Sequence, residues 1–281
     1  MGKLAFVFPG QGAQFAGMGK ELYESSPAAK KVLDQLSSIK PNLLELCFSG
    51  TAEQLQDTRN TQPCIFAVSL ASGAAQVEAG KQPEAVAGFS LGELSALTFA
   101  GVFPLEDGFN LVCKRAELMA ETAANNPAGM VAVLKLEADM VQQLANRHGV
   151  YAVNFNCLGQ TVVAGQTDAL ETFAKAVKAE GGRALPLKVS GGFHSPMMAS
   201  AAEGFAEVLA ETVPKSPNIP VYANITGELY PVDIRETLTQ QIVSPVRWQQ
   251  TVENMVADGV EEFIEMEPGN VLTGLIEKCR K

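Results

Sequence analysis

The sequence predicts an α/β protein with a mostly parallel sheet, into which a second, smaller fold is inserted. Three observations predict it. Short apolar runs alternate with helical patterns toward both ends of the chain, the signature of strands and helices in layers. Between them, residues 128–189 read β-α-β-β-α-β, the order of a complete ferredoxin-like unit. Finally, Gly88-Phe89-Ser90-Leu91-Gly92 stands where an apolar run passes into a helical one, the context of a serine on a sharp strand-to-helix turn. The expected division is a large layer from 1–127 and 190–281, with an insert at 128–189.

Leu4 to Phe8 is continuously apolar, as a buried strand should be, and ends at Pro9-Gly10-Gln11-Gly12. That loop is not a dinucleotide fingerprint, because Phe15 occupies the place of its third glycine, and no Walker lysine follows. Gly17 to Leu36 is helical, with a stop and restart at Ser25-Ser26-Pro27. Gln62 to Gln76 is a second helix, rich in Ala and Ser, with Pro63 in its first turn. Ala85-Val86-Ala87 is a buried strand leading to Ser90, and Leu91 to Ala100 is a helix stopped by Gly101. Leu105 to Thr122 is a long helix.

The insert follows. Met130–Leu136, Val150–Asn154, Thr161–Ala164 and Arg183–Val189 are its strands, and Glu137–His148 and Asp168–Glu180 its helices. Beyond it, Pro196 to Thr212 is helical and Ile219 to Asn224 a strand. Ile234–Val243 and Val246–Asp258 are helices, Glu261–Met266 a strand, and Val271–Lys281 the final helix.

Composition narrows the function. The 281 residues are 47% hydrophobic and 19% charged, which suits one large globular domain or two unequal ones. No run approaches the ~18 apolar residues of a membrane span, and the N-terminus has no signal-peptide cleavage site. The net charge of −10 and the lack of a basic stripe argue against nucleic acid. Five scattered cysteines without a C-x-x-C suit reduced thiols in a cytoplasm. The two histidines are not at metal-ligand spacing, so no metal site is expected.

A catalytic serine needs a base. His148 closes a predicted helix, where an imidazole commonly faces the dipole in solvent. His194 lies in a loop between a strand and a helix, where such folds place chemistry, and is the favoured base. No acid between them and Ser90 falls plainly in a strand-end loop, since Asp107, Asp139 and Asp168 lie on predicted helices or in the insert. A serine–histidine dyad with the imidazole held by a backbone carbonyl is therefore open. Arg115 interrupts an apolar helix face. It either snorkels or pairs near Glu117, or it forks onto a substrate carboxylate.

Taken together, the motifs resemble the malonyl-CoA:acyl carrier protein transacylase family. They are Phe8-Pro9-Gly10-Gln11-Gly12, Thr61-Gln62-Pro63, Gly88-Phe89-Ser90-Leu91-Gly92-Glu93, Arg115, Asn154-Phe155-Asn156, Phe193-His194, Ser244-Pro245-Val246-Arg247-Trp248 and Pro268-Gly269-Asn270-Val271-Leu272, in the family's order. The resemblance implies an α/β-hydrolase-like large subdomain and a ferredoxin-like small one. It implies malonyl-CoA and holo acyl carrier protein as substrates, with no bound cofactor. Ser90 would carry malonyl as an ester, and His194, oriented by the carbonyl of Gln241, would be base and then acid. Amides of Gln11 and Leu91 would form the oxyanion hole, and Arg115 would clamp the malonyl carboxylate. Gln62, Met119, Phe193 and Val271 would complete the substrate site. An acetyl group would leave Arg115 buried and unpaired, at roughly 3–5 kcal/mol. The acidic carrier would meet a basic face, for which Lys178, Arg183 and Lys188 are candidates, although all three also read as solvated charges.

One departure stands beside the nucleophile. Phe89 occupies the place where the family commonly has histidine. Two other readings stay open on the sequence. An editing hydrolase would use the same Ser90 and His194 with water as acceptor. A non-catalytic carrier-binding scaffold would form no malonyl-serine adduct.

Overall fold

A computed structural model describes residues 2–189 and 191–280. The expected segment boundary at Ser190 and the terminal residues Met1 and Lys281 lie outside the described residues. The strands are β1 (Lys3–Phe8), β2 (Ala85–Gly88), β3 (Gly129–Leu134), β4 (Tyr151–Cys157), β5 (Gln160–Gly165), β6 (Arg183–Pro186), β7 (Val221–Tyr222) and β8 (Val260–Glu265). The helices are α1 (Lys20–Ser25), α2 (Pro27–Ile39), α3 (Leu43–Ser49), α4 (Ala52–Gln56), α5 (Thr58–Glu78), α6 (Gly92–Phe99) and α7 (Leu105–Asn125). They continue with α8 (Ala138–His148), α9 (Thr167–Ala179), α10 (Ala199–Ala210), α11 (Ile234–Gln241), α12 (Trp248–Ala257) and α13 (Val271–Cys279).

The first sheet is parallel throughout, in the order β7-β2-β1-β8. Its central strands are apolar at successive positions because both faces are covered. Phe6, Phe8 and Val86 face a core shared with α5 and α6, while Ala5, Val7, Ala85 and Ala87 face one shared with α12 and α13. Phe8 pairs with Gly88, so the loops carrying Gln11 and Ser90 leave the same edge side by side. In open α/β sheets, ligands bind at that carboxyl edge.

The second sheet is antiparallel, in the order β4-β5-β3-β6, which is the ferredoxin-like arrangement. Its two faces follow the period of 2. Val131, Val133 and Val163 lie under α8 and α9, whereas Met130, Ala132, Val162 and Ala164 join the main core. The antiparallel sheet thus presses one face onto the rest of the molecule.

The differences from expectation have local causes. Helices α3 and α4 were not expected between Leu36 and Gln62. The second is one turn long and set by a capping box, Thr51 with Gln54, too short to show a period. Asp57 caps α5, which begins at Thr58 rather than Gln62, so Pro63 lies inside the helix and not in its first turn. Only Val221 and Tyr222 of the expected 219–224 strand pair, because β7 is an edge and β2 spans four residues. Likewise β6 ends at Pro186 rather than Val189, although the Leu187 N–H still bonds the Met130 carbonyl.

Candidate active site

Only Phe89 separates β2 from Ser90, and α6 starts two residues later, at Gly92. The turn is tight enough to hold Ser90 at φ 53°, a left-handed conformation that non-glycine residues rarely adopt. Glycine is required on either side for lack of room: a Cβ on Gly88 would strike the Gly92 backbone, and one on Gly92 would strike the carbonyl of Phe8. Asn224 pins the turn from across β7. Its Oδ1 accepts from the Ser90 N–H at 2.7 Å, and its Nδ2 donates to the Gly88 carbonyl at 2.6 Å.

The Ser90 Oγ lies 2.6 Å from His194 Nε2, and His194 Nδ1 lies 2.9 Å from the Gln241 carbonyl. Since the carbonyl only accepts, Nδ1 carries the proton and Nε2 is free to accept from the serine hydroxyl. His194 also has positive φ, 61°, so both reacting side chains sit on strained backbone. Burial pulls its imidazole down to about 4, helped by the charge of Arg115 and opposed by the backbone of Gln241 and Ser244. His148 ends α8 and stacks edge-on against Phe173, 6.3 Å away, within the small unit.

Arg115 is buried on α7, and it does not pair near Glu117, which takes Lys114 instead. The guanidinium donates through Nη1 to Gln62 Oε1 at 2.9 Å and through Nη2 to Gln241 Oε1 at 3.0 Å. Nη2 also reaches Ser90 Oγ at 3.5 Å. Among the described residues Arg115 has no carboxylate in contact. Burial lowers it to about 10, which leaves it charged at neutral pH. Two carboxamides hold the guanidinium in place, and neither supplies the negative charge that the expected malonyl carboxylate would bring.

The Gln11 and Leu91 amides have no hydrogen-bond partner among the described residues, and both residues line the cavity over Ser90. That cavity, of about 90 Å³, also brings together Gln62, Phe89, Arg115, Met119, Asn154, Phe193 and His194. Val271 is not in it. It lines an adjoining channel of about 220 Å³ with Gly10, Gln11, Phe89, Asn154, Asn156 and Leu272. Phe89 walls both spaces, its ring edge-on to Trp248 at 5.7 Å. Lys178, Arg183 and Lys188 are exposed on the small unit, the last beside Leu187 at the rim of both cavities.

Several residues of the site carried no role in the sequence reading. Asn154 and Asn156 line the channel, and each has a buried Oδ1 without a hydrogen-bond partner among the described residues. Asn224 and Glu93 lie behind the nucleophile. Their signal was an acid in the first turn of an otherwise apolar helix, and an asparagine just past a strand that ends level with the serine turn.

Known proteins can now be set beside this geometry. An acyl transferase domain family matches residues 5–281. A malonyl CoA-acyl carrier protein transacylase of Bacillus subtilis is 40% identical over 290 residues, covering 100% of this chain and 92% of its own. The crystal structure of a malonyl CoA-acyl carrier protein transacylase from Clostridium perfringens superposes with TM-score 0.95 at 38% identity, over 99% of this chain and 90% of that one. A malonyl-transacylase solved in complex with a type II polyketide acyl-carrier protein is similar too. Its TM-score is 0.95 at 36% identity, over 99% of this chain and 93% of that one.

Proposed function

The chain belongs to the acyl transferase domain family, and on that premise we propose that it transfers malonyl from malonyl-CoA to the phosphopantetheine thiol of an acyl carrier protein. The observation that carries this reading is Arg115, a buried cation 3.5 Å from the Ser90 oxygen whose hydrogen-bond partners among the described residues are all neutral. A hydrolase of neutral esters has no use for it, whereas a carboxylate-bearing acyl group does.

Ser90 Oγ attacks the thioester carbonyl as its proton passes to His194 Nε2. The oxyanion is held by the free amides of Gln11 and Leu91. Collapse expels coenzyme A, whose sulfur takes the proton from Nε2, and leaves malonyl on Ser90. The carrier thiol then gives its proton to the same nitrogen and attacks the ester. On the second collapse the proton returns to Ser90 and malonyl leaves as a thioester. Gln62, Met119 and Phe193 enclose the acyl group in the cavity over the serine. The adjoining channel, with Val271 at its wall and the unpaired Asn154 and Asn156 oxygens, suits an arm bearing amide N–H groups such as pantetheine.

Nucleophile, base, oxyanion donors and anion clamp all come from the chain, so the chemistry calls on no resident cofactor. The division into 1–127 with 190–281 and an inserted 128–189 belongs to the same reading, and is supported by the separate antiparallel sheet spanning 129–186. So does residence in the cytoplasm, which suits five free thiols. No helix among the described residues is long and apolar enough to cross a membrane.

The test is intact-mass analysis after mixing with malonyl-CoA, then with holo carrier. A malonyl adduct that Ser90→Ala abolishes, and that moves to the carrier, is expected. Rapid release of free malonate without loading of carrier refutes transfer.

A further inference from the structure

Behind the nucleophile lies a carboxylate to which the reaction above gives no task. Glu93, in the first turn of α6, is 0% exposed. Its Oε2 accepts from Gln241 Nε2 at 3.1 Å and from the Asn224 backbone N–H at 3.3 Å, while Oε1 has no partner among the described residues. Gln241 is thereby fixed by its side chain as well as its backbone. The same Nε2 donates to the Ser90 carbonyl at 2.7 Å, its Oε1 takes Arg115, and its backbone oxygen takes His194. One carboxamide thus stands between a buried cation and a buried anion and bonds the Ser90 backbone, while the backbone carbonyl of the same residue holds His194.

We propose that Glu93 is the resident counter-charge of Arg115. It balances the guanidinium through Gln241 while the acyl pocket is empty, and is displaced from that role electrostatically when a malonyl carboxylate arrives. The inference rests on the transferase reading. Two buried charges of opposite sign support each other, and a third, negative one changes the balance. The incoming carboxylate takes over Arg115 and leaves Glu93 as surplus negative charge in a site sealed from water. The cheapest relief is a proton on Glu93.

The surroundings make this measurable. Burial raises Glu93 to about 7; the Tyr230 hydroxyl, the Asn224 backbone N–H and the Gln241 carboxamide hold it from rising further, and the charge of Arg115 adds to them. The other titratable groups around it are spectators near neutrality. Tyr230, facing it from the segment before α11, is raised well above its usual value, and His194, beyond Gln241, is at about 4. Neutralising Arg115 therefore moves the Glu93 titration upward through neutral pH, with proton uptake.

The first measurement is calorimetric binding of malonyl-CoA to Ser90→Ala at pH 7.5, in two buffers of different ionisation heat. We expect net uptake of roughly half a proton per malonyl bound, and none with acetyl-CoA. Zero uptake with malonyl-CoA overturns the proposal. The second uses Glu93→Gln in the otherwise native protein. Without the resident anion, KM for malonyl-CoA should fall severalfold and lose its pH dependence between 6 and 8, while KM for acetyl-CoA stays. A carboxylate that merely supports packing would leave KM unchanged or raise it, and either result overturns the proposal even if kcat falls. Should the variant not fold, the proton count on native Glu93 still decides. Failure of the wild-type protein to load malonyl removes both readings, whereas loading without proton uptake removes this one alone.

Discussion

His194 is a base sealed from water beside a cation, and both conditions oppose its protonation. The sign is direct. The ring is useful only while neutral, and its folded value of about 4 lies below the ordinary 6.5, so the base survives deep into acid. The rate of Ser90 acylation at saturating malonyl-CoA should fall with a midpoint well below 6.5, and stopped-flow measurement across the acid range checks it. A midpoint at 6.5 would mean that the ring is hydrated. Arg115 makes a separate prediction. Truncation by Arg115→Ala removes one partner of a buried, charge-assisted pair. It should lower kcat/KM for malonyl-CoA by about 2–5 kcal/mol, roughly 30-fold to several thousandfold, and raise the relative use of acetyl-CoA. Competitive loading of the two thioesters measures this directly, and unchanged selectivity would dismiss the clamp.

The serine turn is an element held from outside itself. Ser90 has strained φ; within the turn it is held by the bond from the Gly92 N–H to the Phe89 carbonyl and by the lack of side chains at Gly88 and Gly92. Asn224 supplies the rest by bonding the Gly88 carbonyl and the Ser90 N–H, the backbone that leads into the serine. Asn224→Ala leaves two buried backbone groups unpaired, which costs about 2 kcal/mol or more of stability, and lets the nucleophile drift from His194. Denaturant unfolding together with single-turnover acylation should show both losses. This element also marks where sequence reading works and where it stops. Gly88, Ser90 and Gly92 are legible because a tight turn demands small residues at set spacing. His194 is legible by elimination from two histidines, and the missing triad acid follows from helices that occupy every candidate. Asn224 and Glu93 are not legible, because their partners are backbone atoms and a carboxamide more than a hundred residues away. Helix α4 escaped for the opposite reason, being too short for any period to appear. Pro63 misled, because proline favours a first turn and α5 nevertheless begins earlier, at the Asp57 cap.

At the scale of the whole molecule, the site is a seam between two sheets. The parallel sheet delivers Gln11 and Ser90 at its carboxyl edge. The antiparallel sheet delivers Met130 and Asn154 from the other side, and its edge strand β4 is tied down where Val246 exchanges backbone bonds with Val153 and Phe155. On the proposed reading, the acyl clamp and the carboxamides of the arm channel come from different units. Arg115 and Gln62 belong to the helices of the large layer, whereas Asn154 and Asn156 belong to β4. The two functions should separate under mutation. In a ping-pong cycle both thioesters present the same arm, so removing a channel carboxamide should weaken donor and acceptor alike. Asn156→Ala is expected to raise KM for malonyl-CoA and for holo carrier together, each by about 2- to 12-fold, the worth of one ordinary hydrogen bond. The preference for malonyl over acetyl should stay intact. Steady-state kinetics with each substrate varied in turn would decide it. A change in acyl preference, or a rise in KM for one thioester only, would mean that the arm does not run between the sheets.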